Sequence, residues 1–179
     1  EWAIAKQNGL QAANVISFSS RTIPVLAVLR KNLFEKKNTQ LIYTGELPAY
    51  FDAETLKRVY GYQFELKQVN NATEIPEFNG STIFISQQKE MGKIDLHPNI
   101  DFFISIHPQW GSILLVNGKQ NENYISEIQH VRRRETIAMT PANCFSALQQ
   151  LIGESATTEV NNLEANKARV IASIKKITG

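Results

Sequence analysis

The opening stretch, Trp2 to about Phe18, is polar, rich in alanine and glutamine, and weakly amphipathic, a pattern that predicts helix. A second helical pattern runs on to about residue 37. Thr22 can cap it, Pro24 sits in the first turn where its missing N–H costs nothing, and Leu26, Leu29 and Leu33 form one stripe. Lys31, Lys36 and Lys37 suit the negative end of such a helix. The pattern leaves open whether Pro24 opens a second helix or kinks one long helix. Thr39–Thr44 then reads as a short strand closed by Gly45. A small helix follows, capped by Asp52, with Leu56 and Val59 inward and Gly61 stopping it. Phe64, Leu66 and Val69 predict a partly alternating strand, with turns at Asn70–Asn71 and at Pro76 to Gly80.

Short β-rich runs dominate the next section: Ser81–Ser86, Asp101–Ile106, Ser112–Val116 and Glu135–Met139. Their connections read as Gly-, Pro- and Asn-bearing loops without crossover helices, which favours antiparallel pairing over a doubly wound sheet. The clearest helix comes next. Thr140 is its N-cap, Pro141 takes the first position and Gly153 follows its end, with Cys144, Leu148, Leu151 and Ile152 assigned to one packed face. The final segment fits both helix and strand; Val170, Ala172 and Ile174 alternate, which favours strand for its second half. The expected fold is therefore α+β: a long N-terminal helix packed on a mainly antiparallel sheet, with short additional helices. Residues 1–37 form the helical segment and 38–179 the globular region, in one domain overall.

Composition narrows the function. Of 179 residues, 42% are hydrophobic, enough for a core and too many for a disordered chain. Nineteen basic against 17 acidic residues leave a net charge of +2, too balanced for a dedicated nucleic-acid binder. The single cysteine, Cys144, excludes an intramolecular disulfide framework and a cysteine zinc site. No apolar run approaches a membrane span, and no segment has the pattern of a signal peptide. A chain opening on Glu1-Trp2 reads as a processed or truncated piece.

Several clusters invite a chemical reading. Asp52, Glu65 and Lys67 have the order of a D…ExK nuclease signature, in which two carboxylates hold magnesium and a lysine orients or deprotonates water. Against it, an E-x-K triplet is what ordinary alternation on an exposed strand produces, and Asp52 already serves as a cap. Asp95, His97, Asp101 and His107 could ligate a metal, yet prolines directly follow both histidines, which suits a solvated loop better. Cys144 lies in a first helical turn, where a thiolate is stabilised, but its apolar companions favour a buried, inert thiol. His130, Arg132, Arg133 and Arg134 form the one basic run. Without interleaved aromatics, and with Glu127 and Glu135 nearby, it reads as a charged loop or the guard of an edge strand. Trp110, ahead of Gly111, is placed as a core anchor at a sheet entrance. Asn71–Thr73 and Asn79–Ser81 fit the glycosylation triplet, which has meaning only in a secreted eukaryotic chain.

The order of parts resembles the type IV pilin family, in particular its type IVb branch. The resemblance is carried by the polar Ala5–Asn8 helix start, the Trp110-Gly111 step into Ser112–Val116, and Ile137–Cys144 running into Leu148. It covers about the first third and the last 70 or so residues, and Thr39 to Asn99 matches nothing in it. Two features depart from the family: Cys144 has no partner for the usual C-terminal disulfide, and the apolar N-terminal half-helix is missing. The resemblance implies a non-enzymatic assembly subunit of an extracytoplasmic bacterial machine, a pilin or minor pilin. Its partners would be proteins, including copies of itself, and it would reach a membrane only through a missing N-terminal segment. Leu26, Leu29, Leu33 and Trp110 are assigned to the interaction surface, and no cofactor or metal is expected. The alternatives are a magnesium-dependent nuclease using Asp52, Glu65 and Lys67, and an α/β ligand-binding or regulatory module.

Overall fold

A computed structural model describes residues 1–48, 51–71, 75–88, 94, 96–155 and 163–178, excepting the side chains of 163–166, 169, 177 and 178. The first helix, α1 (Trp2–Gln7), is only six residues long. Gly9, at φ +69°, takes the left-handed conformation that ends a helix, and the Leu10 N–H closes back on the Ala5 carbonyl. A 3-10 turn (Ala12–Asn14) then feeds β1 (Val15–Phe18). The expected long N-terminal helix is thus absent. Residues 1–37 are not helical throughout: they supply the strand β1 as well as α1 and a second helix.

The second helix, α2 (Ile23–Phe34), carries Pro24 in its first turn. After it come β2 (Thr39–Tyr43), α3 (Ala53–Arg58), β3 (Glu65–Gln68), β4 (Ser81–Gln87), β5 (Phe102–His107) and β6 (Gly111–Val116). A 3-10 turn (Lys119–Asn121), α4 (Asn123–Arg134), α5 (Pro141–Leu151) and α6 (Leu163–Thr178) complete the chain. The stretch expected as a strand, Glu135–Met139, makes one isolated bridge, Phe18 to Ala138, and the C-terminal segment is helix throughout α6.

The mix of helix and sheet matches expectation, but the mainly antiparallel sheet does not. The six strands lie in the order β1-β6-β5-β4-β2-β3. β2 pairs in parallel with β3 and β4, and β4 with β5; only β6 is antiparallel to its neighbours β5 and β1. Five strands therefore share one direction. Along every strand but the exposed edge strand β3, alternate residues enter opposite cores. Ile16, Leu41, Ile83, Phe102 and Leu114 meet α2, α3 and α4 on one face. Val15, Ile42, Phe84, Phe103 and Ile113 meet α1 and α5 on the other. Both faces of the sheet are covered, which is why Ile83–Ile85, Phe102–Ile104 and Ile113–Val116 are unbroken apolar runs.

The crossovers explain the strand order. The β1-to-β2 and β2-to-β3 connections run through α2 and α3 on the first face. The β3-to-β4 and β4-to-β5 connections bury Val69, Ile75, Ile94 and Ile100 on the second face, with no helix among their described residues. Moving one way across the sheet on one face and back on the other, all four have the same hand, as the preference for right-handed crossovers requires.

Candidate functional site

β2 and β4 are neighbours and the chain leaves their C-terminal ends toward opposite faces, which makes this point of the sheet a topological switch point. In open sheets of this kind, ligands sit at such switch points. The exits are held in register by the Thr44 N–H on the Ile85 carbonyl (3.3 Å) and the Gln87 side-chain amide on the Glu46 carbonyl (2.6 Å). Gly45, at φ +67°, turns the chain between them, and its carbonyl accepts from the Gln68 amide at 2.7 Å. On the far side of β4, the Gln88 N–H donates to Ile106 and the Gln88 side-chain oxygen accepts from the Ser105 hydroxyl at 3.0 Å. This end of the sheet thus presents backbone carbonyls, the Gln87 and Gln88 amides and the Ser105 hydroxyl, with the acidic Glu46 among its residues.

The same end of the sheet receives the start of α2. Thr22 makes no side-chain cap; instead the Ser20 hydroxyl oxygen accepts from the Thr22 and Ile23 N–H groups at 3.3 and 3.1 Å. The loop is pinned twice more. Ser112 donates its hydroxyl to the Ser20 carbonyl, and Arg21 donates to the Pro108 carbonyl. Between the first turns of α2 and α3 lies a hollow of about 230 Å³ lined by Thr22, Leu26, Phe51, Asp52, Thr55, Leu56 and Tyr60. Its floor is apolar and its rim polar, which suits a ring or short hydrocarbon carrying polar groups.

Larger hollows, about 570 and 640 Å³, lie at the opposite end of the strands around Lys36, Lys37, Phe78, Asn99 and Asp101. There the polar groups hold the protein itself together. The Asp101 carboxylate accepts from the Thr82 N–H (2.8 Å) and the Asn121 amide (2.7 Å), while the Asn99 and Asn117 amides donate to the Ile75 and Ile100 carbonyls.

The structure separates the residues of the nuclease reading. Asp52 opens α3 at the C-terminal end of the strands on the first face, with its carboxylate bonded to the Thr55 N–H (3.0 Å) and hydroxyl (2.6 Å). Those Thr55 contacts, the hydroxyl foremost, hold the Asp52 carboxyl below the ordinary carboxylate range. Glu65 and Lys67 lie on the exposed edge strand β3, in register with Gln40 and Ile42 and so facing the other side of the sheet. Glu65 begins that strand, at the end away from Asp52.

The proposed metal ligands are likewise spread out. Asp95 falls outside the described residues. Asp101 and His107 stand at opposite ends of β5, about 20 Å apart along a strand rising about 3.3 Å per residue. Each histidine accepts a backbone N–H at Nδ1, His97 from Asn99 and His107 from Gln109, both at 3.2 Å. Among the described residues no three His, Cys, Asp or Glu side chains gather as a metal site would need.

Cys144 is half-buried and its thiol lies 3.8 Å from the Met139 carbonyl; burial pushes its pKa up, the reverse of an activated nucleophile. The basic run is neither loop nor edge strand: it forms the last turn of α4, where cations complement the helix dipole. Arg132 pairs with Glu1 and Arg134 with Glu135. Of the glycosylation triplets, Ala72 and Thr73 fall outside the described residues, and Ser81 is fully buried at the start of β4.

The expected interaction surface is mostly core. Leu29 and Trp110 are buried, Leu26 is partly buried against the first core, and only Leu33 is exposed. Trp110 does anchor a sheet entrance, stacked on His107 at 3.8 Å between ring centroids. Ser20 at the start of α2, and Gly45, Gln87 and Gln88 at the exits of β2 and β4, escaped sequence reasoning as site residues. The available signal was the Ser19-Ser20 pair between an apolar run and a Pro-bearing helix, which marks a strand-to-helix turn. The chain matches no protein-family model and no curated protein. Among the described residues, no helix is long and apolar enough to cross a membrane.

Proposed function

We propose that the chain is an α/β ligand-binding or regulatory module that holds a small polar ligand at the C-terminal ends of its parallel strands. One observation carries this reading: β2 and β4 lie side by side while the chain leaves them toward opposite faces, a switch point beside which Gly45, Glu46, Gln87 and Gln88 follow the strand ends. The neighbouring hollow under Leu26, Phe51 and Tyr60 would take the ligand's apolar part, and the amides at these strand ends its polar groups. The assembly-subunit reading expected a long docking helix at the N-terminus, whereas α1 is six residues long and α2 packs into the core. The nuclease reading has its three residues divided between two faces.

Titrating the isotope-labelled chain with nucleotides, sugar phosphates and short aromatic carboxylic acids, followed by amide NMR, tests the proposal. The expected result is a group of shifted amides at Ser20–Thr22, Gly45, Glu46, Gln87 and Gln88, lost in Leu26→Trp, which fills the hollow. Shifts centred on Lys36, Lys37 and Asp101, or none with any of these probes, would overturn it.

A further inference from the structure

Exposed apolar side chains occur in two settings. Leu148 and Ile152 of α5, which the sequence pattern placed inward, are 47% and 71% exposed on the outward face of that helix. Tyr60 is exposed as well, but it lines the hollow between α2 and α3 together with Phe51, Leu26 and Leu56. Its ring stacks on Tyr62, with centroids 5.9 Å apart and planes 8° from parallel. An aromatic ring held in this way beside an apolar floor is a platform for another flat ring. At about 230 Å³ the hollow is smaller than a site for a drug-sized molecule, so it takes one ring system and leaves the rest of a ligand outside.

Charge decides what that ring carries. Among the described residues lining the hollow, Asp52 alone is charged, and Thr22 and Thr55 add hydroxyls. One Asp52 carboxylate oxygen accepts from the Thr55 N–H at 3.0 Å and the other from the Thr55 hydroxyl at 2.6 Å. An ionised carboxylate has about four lone-pair sites on its two oxygens, so each keeps room for a further donor. The same two bonds hold the carboxyl below the ordinary range and keep it ionised at neutral pH. A carboxylate or phosphate on the ring would meet like charge there. An N–H donor would gain a charge-assisted hydrogen bond.

We infer that the hollow selects an amino-bearing heteroaromatic ring, with adenine as the type, stacked on Tyr60 and donating its amino group to Asp52. The inference rests on the ligand-binding reading above and names the class of ligand for that site. The ring's remaining substituent, such as a ribose, leads out toward the strand ends, where the Gly45 and Glu46 carbonyls and the Gln68 and Gln87 amides suit hydroxyl groups.

Amide NMR titrations of the full chain with adenosine and with purine riboside, which differ only in the amino group, test the inference. Adenosine is expected to shift Thr22, Thr55 and Tyr60 and to bind about tenfold more tightly than purine riboside, the effect of one hydrogen bond to a charged group. D52S keeps an N-cap of equal quality but removes the carboxylate. It should bind the two nucleosides alike, with far-UV circular dichroism unchanged. Y60A, at an exposed position, should weaken binding of both about fivefold or more. Equal affinity of the wild type for the two nucleosides, a preference that survives D52S, or no binding of adenosine overturns the inference. If another probe still shifts Gly45, Glu46 and Gln87, the ligand class falls and the reading of the site stands; if no probe does, both fall.

Discussion

Gly111 shows how one residue fixes the meeting of two strands. At φ +113° it occupies backbone space that side chains avoid, and a Cβ there would run into the Phe18 carbonyl oxygen and the Ser19 backbone. That close approach lets β6 begin against the end of β1, beside the Ser20 turn that starts α2. Gly111→Ala is expected to destabilise the protein by about 2 kcal/mol or more, because backbone must move, and to loosen the Ser19–Thr22 loop. Urea unfolding would show the first effect and amide exchange at Thr22 and Ile23 the second. An alanine variant as stable as wild type would disprove this role. Asn32 works at the same scale. Fully buried, it donates to the Thr39 hydroxyl at 2.9 Å and accepts the Tyr124 phenol at 2.6 Å, tying α2, β2 and α4 together by groups that would be costly to bury alone.

Among the elements, α2 has the strongest hold on the core. Val25, Val28 and Leu29 reach the first face of the sheet, and Lys31 bridges to Glu35 at 3.0 Å and to Glu127 of α4 at 3.2 Å. Leu29→Ala should therefore behave as a core truncation, losing about 2–5 kcal/mol in urea unfolding. Were Leu29 part of a binding surface, the same change would weaken association while leaving stability nearly unaltered, so the two measurements separate the roles. The edge strand β1 is guarded by a different device. The Glu1 carboxylate accepts from the Ser17 N–H and hydroxyl, both at 3.0 Å, and pairs with Arg132 of α4. This clasp passes from one face of the sheet to the other around β1 and covers a backbone donor that would otherwise invite a foreign strand.

For the molecule as a whole, titrating groups on both sides of neutrality predict a stability plateau. The Lys31 ammonium is the main influence holding the Glu35 carboxyl below its ordinary value of 4.5; burial opposes it and the Tyr124 hydroxyl assists. Burial pushes the Glu1 carboxyl up, but Ser17 and Arg132 outweigh it and bring it below 4.5. A depressed carboxyl stabilises the fold above its unfolded pKa, and that contribution disappears as pH falls through the folded value. Burial, reinforced by Glu35, raises the Tyr124 phenol above its ordinary 10.0, so its contribution is complete below pH 10 and is lost as pH climbs toward the folded pKa. Urea midpoints are expected to stay level from about pH 5 to 9 and to fall on either side. Glu35→Gln should make the acid limb shallower. An acid limb equally steep in that variant would mean that Glu35 does not take part.

Local chemistry alone determined several elements. The Asp52 and Thr140 caps each accept the N–H three residues on, at 3.0 and 3.2 Å, and Pro141 opens α5, because these signals act within one helical turn. The runs that became β2, β4, β5 and β6 were legible for the same reason. Only the tertiary structure decided how they pair. Two of the parallel crossovers have no helix among their described residues, so the usual sequence mark of a parallel sheet was missing, although the unbroken apolar runs already indicated two covered faces. The amphipathic α4 was hidden behind its terminal arginines, and α1 was overextended because Gly9 was not recognised as its stop. The candidate site was the least legible part. Gly45 and Gln87 lie far apart in the chain, and they come together only because β2 and β4 are neighbours that send their connections to opposite faces.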